Sequence, residues 1–482
     1  MIRVYSCTLG STRGKCFKNE IFSEKEFLKK LHPLVLIRRN TKGYLMKRLL
    51  PFFLFCSPTL LAAPPLVVVI SIDGFPDYAL QDSKTAIPAL RRLIREGAVA
   101  ANGMLPINPT VTWPNHTAMV TGVDASRHGV LYNGLPIRTP GQPVRIQASV
   151  SKSELVTVPT VYDLAHQAGL KTAEVDWVAI EDAPTIDYSF FEIPKAASLI
   201  AREMIARGTL TLDDVQQFSK ARITWRDQIW TEAVIHILRE HRPNLMLFHL
   251  LTTDTMQHTY GARSLAAQTA LSLADRQVQR ILDTLKDTGM LEQATVLVVS
   301  DHGFATAKRL IHPNSILHNG GLIRGSECDA WTIPEGGTAM VYITNEQKRA
   351  ELVSRLPEMF RGVEGVQQII EPKSFAEHGF PPPGPTSRMA DLVLAAADGY
   401  AFGGKTEGPA VIDIAPGAAS GNHGYLRTNP DMRAIFVAWG AGIRPDTKLP
   451  EVRNWDVAPT VAHLLGLEMK NISGHALTEL AK

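Results

Sequence analysis

Cysteine is scarce in this chain, 4 in 482 residues, and three of the four (Cys7, Cys16 and Cys56) lie within its first 56 positions. Only Cys328 falls in the body of the protein, so a monomer of that body has no internal disulfide and must stabilise itself through its core and any bound metal. Long apolar runs are missing as well: the most apolar stretch, within MKRLLPFFLFCSPTLLAAP from Met46, is too short for a confident membrane span. Excess positive charge is also absent once the chain is divided. The formal +3 hides 12 Lys/Arg against 3 Asp/Glu in the first 63 residues, which leaves 38 basic against 44 acidic residues from Pro64 onward. A net acidic body excludes a broadly basic nucleic-acid-binding surface, and no specific nucleic acid is expected as a partner. No repeat or low-complexity segment stands out.

What is there begins at Met46. Lys47 and Arg48 precede the short apolar run, which ends in the small residues Ala62 and Ala63, the pattern of a secretory signal peptide. Residues 46–63 are therefore expected to be a signal peptide, with an N-terminal anchor as the alternative, and 1–45 an upstream extension outside the fold. The mature chain is expected in the periplasm or outside the cell, with no stable membrane insertion after cleavage. Its oligomeric state is not legible.

From Leu66 the chain alternates apolar strand-like runs with amphipathic segments, the sign of a mostly parallel sheet covered by helices on both faces. LVVVIS, NLMLFHLLTT and ATVLVVS read as strands buried on both sides. Helical spacing predicts helices ending at Gly97 and Gly169, one over 228–241, and a longest one from Leu265 to Leu285. After Gly303 the pattern loosens, and PPPGP at 381–385 marks a loop. Residues 304–420 are expected to contain an insertion or cap subdomain within a catalytic body of 64–482, and the sheet to resume at MRAIFVAWG.

Acidic and histidine residues follow the strand-like runs: Asp73, Asp254 with His258, Asp301 with His302, and later His423. Open α/β sheets place their sites beyond the carboxyl ends of the strands, so these residues would converge on one rim. Asp254 and His258 lie four apart, on one face of a helical turn. Asp301 and His302 are adjacent, but at a strand end where the chain turns through Gly303 both can reach one ion. Each residue alone has a plainer reading, an Asp as a helix cap or a His as a structural hydrogen-bonding group. Four such places in one α/β chain instead suggest a two-metal hydrolase. Thr110 and Thr112, in INPTVTWPNHTAM just before a probable helix, supply two candidate nucleophilic hydroxyls where a helix N-terminus favours anions.

IDGF at 72–75, TWPNH at 112–116, DTMQH at 254–258, SDHG at 300–303 and NHGY at 422–425 together resemble the motifs of the nucleotide pyrophosphatase/phosphodiesterase family, of the alkaline phosphatase superfamily. The likeness runs in order from about residue 66 to 467. It implies an alkaline-phosphatase-like three-layer αβα sandwich, two Zn²⁺ per chain (with other divalent transition metals as alternatives, since carboxylate and imidazole ligands also accept manganese and iron), and Thr112 as nucleophile, with Thr110 a loop residue. By the same likeness Asp254, His258 and His423 would hold one zinc, and Asp73, Asp301, His302 and the Thr112 oxygen the other; His116 would be a structural hydrogen-bonding residue. The reaction implied is hydrolysis of a phosphodiester or pyrophosphate through a phosphothreonine intermediate.

Asn133 in VLYNG is by local sequence equally an Asn-Gly turn. Its place after Thr112 matches the family's Asn, whose neutral amide suits a singly charged diester. No Lys-x-Arg occurs in the 160–190 stretch, where a dianionic monoester's cation would fall. Trp113 and Trp177 are candidate substrate-stacking walls, and core packing is the competing role for either. A small phosphodiester or nucleotide is thus the expected substrate. A phosphomonoesterase, a phosphonate hydrolase, a lipid-headgroup phosphodiesterase and a non-catalytic zinc-binding protein are the alternatives. No Cys/Ser-x-Pro-x-Arg motif is present to make a sulfatase, and a cofactor-independent phosphoglycerate mutase would use a Ser nucleophile.

Overall fold

The computed structural model describes residues 65–384, 387–418 and 420–482. The expectations for 1–45 and 46–63 lie outside the described residues.

The main sheet has eight strands. In chain order these are β1 (Leu66–Ile72), β2 (Ala98–Ala100), β3 (Thr172–Val175), β4 (Tyr188–Phe190), β5 (Leu245–Leu250), β6 (Ala294–Val299), β7 (Phe436–Gly440) and β8 (Thr447–Leu449). Their spatial order is β8-β2-β7-β6-β1-β5-β3-β4. β1 lies parallel between β5 and β6, and only β7 runs against its neighbours, so the sheet is mostly parallel.

Every residue of β1, β5 and β6 is buried, which is why these strands read as continuous apolar runs instead of alternating ones. Leu66, Val68, Ile70 and Ile72 face one apolar layer. Its helices are α1 (Pro88–Glu96), α4 (Leu199–Ala206), α5 (Ile223–Glu240) and α7 (Leu265–Asp287). Val67 and Val69 face the other, built with α2 (Thr112–Thr121), α3 (Val161–Gln167) and α9 (Val457–Leu464). Helices on both faces make the three-layer αβα sandwich expected from the sequence. Each fully buried aliphatic side chain of these strands contributes about 1.5–3 kcal/mol of transfer free energy.

The register sets the rim. Ile72 pairs with Leu250 and Ser71 with Val299, so the three central strands end level, and Asp73, Asp254 and Asp301 all follow those ends. α6 (Thr252–Tyr260) starts two residues after β5 with no side-chain cap of its own. The buried carboxylate of Asp227, from α5, accepts instead from the backbone N–H groups of Leu251 at 3.0 Å and Thr252 at 3.2 Å. That fixes the start of the helix that carries Asp254 and His258.

Between β6 and β7 the chain builds a separate antiparallel sheet with strands at Ala330–Pro334, Thr338–Ile343, Leu392–Ala396 and Val366–Ile370, in that spatial order, and α8 (Arg349–Phe360) packs into the same apolar cluster. The chain then returns through Gly421–Asn422, paired with Ala305–Thr306, which brings His423 back to the rim. Cys328, within this region, is buried and free. No helix among the described residues is long and apolar enough to cross a membrane.

Candidate active site

Asp73, Asp301 and His302 form one cluster and Asp254, His258 and His423 a second, each with its potential ligand atoms within 4.8 Å of one another. In the first, His302 Nε2 lies 3.1 Å from Asp301 Oδ2 and 3.6 Å from Asp73 Oδ1. In the second, Asp254 Oδ1 lies 3.3 Å from His258 Nε2 and 3.7 Å from His423 Nε2. The two clusters adjoin, since the rings of His302 and His423 stack with centroids 3.8 Å apart.

The three imidazoles are held alike. Each places Nδ1 against a backbone carbonyl: His258 at 3.0 Å from Gly421 O, His302 at 3.0 Å from Gly303 O, and His423 at 2.9 Å from Thr110 O. A ring that donates its Nδ1–H in this way presents the Nε2 lone pair toward its cluster, the tautomer that a metal requires. Burial holds His302 down to about 4 and His423 to about 3, so both are neutral at ordinary pH. Burial raises the Asp73 carboxyl well above its usual value, and Asp301 and Asp254 raise it further. Asp73 Oδ1, Asp254 Oδ1, Asp301 Oδ2 and His302 Nε2 are all buried without a hydrogen-bond partner. Buried polar atoms are ordinarily satisfied, and like charges in one place repel, so this set of orphaned donor atoms fits divalent cations.

Thr112 is the first residue of α2 and is buried, as is the Thr110 two residues before it. The two hydroxyls differ in their freedom. Thr110 Oγ1 donates to Tyr425 O at 2.6 Å, and Thr110 O accepts from Gly424 N at 3.0 Å, so Thr110 ties the His423 loop to the start of α2. His116 Nδ1 sits 2.9 Å from Thr112 O and 3.7 Å from Asp301 Oδ2, which links the first helical turn to the first cluster. Asn133 meets the same helix end: its Oδ1 accepts from Trp113 N at 2.9 Å, which orients the amide and leaves its NH₂ as the donor.

Trp113 and Trp177 both line a cavity of about 390 Å³ together with Val178, Ile180, Phe191 and Lys195. They differ in exposure. Trp177 is 3 % exposed, meets the His116 ring edge-on at 4.9 Å and joins the apolar layer under the sheet. Trp113, half-buried, is the freer of the two to touch a ligand.

Several supporting residues are not evident from sequence reasoning. His249 lies inside β5, with Nε2 at 3.1 Å from Asp73 Oδ2 and Nδ1 at 3.0 Å from Asp176 O. Burial alone would lower the His249 pKa, but Asp176 and then Asp73 outweigh it and push it up. The available signal was a histidine within an otherwise apolar buried run. Gly74 N donates to Asp301 Oδ1 at 3.1 Å, and Gln257 Nε2 donates to Gly74 O at 2.6 Å, tying the β1, β5 and β6 ends together. Phe304 packs edge-on against His258, with ring centroids 4.8 Å apart. At Gly303, where the chain turns, a Cβ would lie 2.0 Å from Asp431 O, so the position needs glycine for space.

The type I phosphodiesterase/nucleotide pyrophosphatase family matches residues 67–426. Ectonucleotide pyrophosphatase/phosphodiesterase family member 7 of Rattus norvegicus is 23% identical over 412 residues, 85% of each chain. Human family member 1 is 25% identical over 265 residues, 52% of this chain but 25% of that longer one. Among solved structures, inactive murine ectonucleotide pyrophosphatase/phosphodiesterase 5 in complex with AMP superposes with a TM-score of 0.66 at 19% identity, covering 87% of this chain and all of the other, which bears on the fold. With about three quarters of its length matched, the chain belongs to the type I phosphodiesterase/nucleotide pyrophosphatase family of hydrolases.

Proposed function

We propose that this protein hydrolyses phosphodiester or pyrophosphate bonds of small, nucleotide-type substrates, with Thr112 as nucleophile and two zinc ions as cofactors. The observation that carries the reading is the pair of adjoining carboxylate–imidazole clusters beside the first turn of α2, in which Asp73 Oδ1, Asp254 Oδ1, Asp301 Oδ2 and His302 Nε2 are buried and unpartnered. Asp254, His258 and His423 would hold one ion, and Asp73, Asp301, His302 and Thr112 the other. Such ions would neutralise charge on the phosphoryl oxygens and lower the pKa of the Thr112 hydroxyl and of water.

Thr112 Oγ1, at the N-terminus of α2, attacks phosphorus; the bond to the leaving alcohol or phosphate breaks, and the threonine carries the phosphoryl group until water hydrolyses it. Thr110 cannot share this role while its hydroxyl is bound to Tyr425 O. Asn133, oriented by Trp113 N, donates its NH₂ to a non-bridging oxygen, and a neutral donor there favours a singly charged diester over a dianionic monoester. Trp113 and the adjoining cavity receive the leaving or retained organic group, with Trp177 as its rear wall. AMP bound by the murine structural neighbour is consistent with a nucleotide-type substrate. Residues 304–420 would act as a cap on this body, and export would follow from the signal-like segment at 46–63, placing the enzyme in the periplasm or outside the cell.

The test compares kcat/KM for bis-p-nitrophenyl phosphate, or a p-nitrophenyl nucleotide, with that for p-nitrophenyl phosphate on zinc-loaded protein. A strong diester preference is expected. Thr112→Ala should reduce diester turnover by about a thousandfold or more with zinc largely retained. Substantial residual turnover would remove Thr112 from its role, and a monoester preference would make the enzyme a phosphatase.

A further inference from the structure

A third cluster of potential ligand atoms lies apart from the catalytic rim. Glu203, His236 and His241 place theirs within 4.8 Å of one another, as the two active-site clusters do. Both imidazole Nε2 atoms converge on one oxygen, Glu203 Oε2, each at 2.7 Å. The residues come from two elements: Glu203 from α4, His236 from α5, and His241 from the residue that ends α5. A spacing of five would put the two histidines on different faces of a regular helix. His241 closes the last turn of α5, its N–H donating to Ile237 O at 2.9 Å, and the chain leaves the helix at Arg242 (φ 49°); there both rings reach the same Glu203 oxygen. Tyr188 stacks on His241 with centroids 4.2 Å apart and holds that ring in place.

We propose that Glu203, His236 and His241 form an additional binding site for a first-row divalent cation, zinc foremost. Two imidazole nitrogens and a carboxylate oxygen are the donor set such ions take, and a small outward movement of the three groups would admit ligand bonds of about 2.0–2.2 Å. The Glu203 side chain is 31 % exposed and that of His241 15 %, so water can reach the trio to complete the coordination.

The position points to a brace and not to chemistry. α5 runs against β5, with Asp227 near its start fixing α6 at the rim, and His241 precedes β5 at the other edge of the sheet. His236 is therefore about 14 Å along the helix from Asp227. An ion there would clamp α4 to α5 and hold fast the helix on which the start of α6 depends.

The test is zinc content per folded chain, measured by elemental mass spectrometry after equilibrium dialysis of the full chain and of its His241→Ala and Glu203→Gln variants against buffered zinc. Each variant should hold about one equivalent fewer than the parent while turnover of bis-p-nitrophenyl phosphate is retained. Because the result is a difference, it is separable from the number of ions at the catalytic rim. Equal zinc in parent and variant would overturn the site and leave the trio as a hydrogen-bonded tie between helices. Loss of several equivalents together with turnover would also overturn it, by making the trio a support of the catalytic fold. If neither variant folds, diethyl pyrocarbonate labelling of the parent decides: zinc should protect His241, and equal labelling with and without zinc would refute the proposal.

Discussion

Asn133 carries one contact in the structure and a second role in the proposed reaction. Its carbonyl caps the N–H of Trp113, and its NH₂ remains for a ligand. Asn133→Ala removes both. The cap alone is worth about 1 kcal/mol of stability. The lost donor should lower kcat/KM for a diester by about tenfold to a thousandfold, with little change in Tm, in steady-state kinetics on the folded variant. Asn133→Asp would keep the cap but bring a negative charge to the phosphate, so its diester turnover should fall further than that of the alanine variant; the reverse order would place Asn133 outside the phosphate site. His249 belongs to the same scale. Its ring bridges Asp73 and Asp176 across the sheet interior, and removing one partner of such a buried ionic group leaves the others uncompensated.

At the scale of elements, the site depends on close approach of backbones. A Cβ on Gly421 would lie 1.9 Å from Gln257 O, and Gly421 O is the partner of His258 Nδ1. Gly421→Ala must separate the Gly421–Asn422 strand from α6, which moves His258 and His423 apart. We expect zinc affinity at that cluster to fall about tenfold to a hundredfold, read by chelator competition, because the groups that orient metal ligands carry effects of that size. The inserted sheet offers a separate, electrostatic prediction. Asp329 is buried; burial raises its pKa, but hydrogen bonds from Arg324, Lys348 and Asn345 outweigh this and hold it well below the usual carboxylate range. A depressed folded-state pKa stabilises the protein above the ordinary Asp value, near 4, and that stabilisation is lost as pH falls below it. The partners Arg324 and Lys348 are themselves half-exposed, so the contribution at neutral pH is about 1–2 kcal/mol. Asp329→Asn should therefore lower stability in denaturant titrations at pH 7, with the difference from the parent shrinking by pH 3; an undiminished difference at pH 3 would assign it to packing.

For the whole molecule, metal and fold should be thermodynamically linked. Asp73, Asp254 and Asp301 bring three carboxylates to one buried rim, with burial and mutual repulsion both acting on Asp73. Ions that bind there only in the folded state stabilise it by about 4 kcal/mol per site at a thousand times Kd. For a body of this size, chelation should lower Tm by roughly 5–10 °C, and readdition of zinc should restore it, by scanning calorimetry. An unchanged Tm would mean that the clusters bind no ion tightly.

The parts legible in the sequence are those that short-range pattern determines. LVVVISI, LMLFHL and ATVLVV identify doubly buried strands because a parallel sheet covered on both faces makes nearly every position apolar, and the Asp residues just past them mark the rim because each strand ends where its apolar run ends. The spacing of Asp254 and His258 likewise follows from helical periodicity. Other features depend on residues far apart in sequence. His249 is 176 residues from the Asp73 it supports, His423 is 313 from the Thr110 carbonyl that orients it, and Asp227 caps a helix on another element. The antiparallel course of β7 and the meeting of Glu203 with two histidines of α5 have the same origin. The sequence alone determined which residue types carry the chemistry and which strands end beside them, since both follow from local burial and periodicity. Only the tertiary structure decided which of them meet, because those contacts depend on sheet order and on backbone approaches that leave no local pattern.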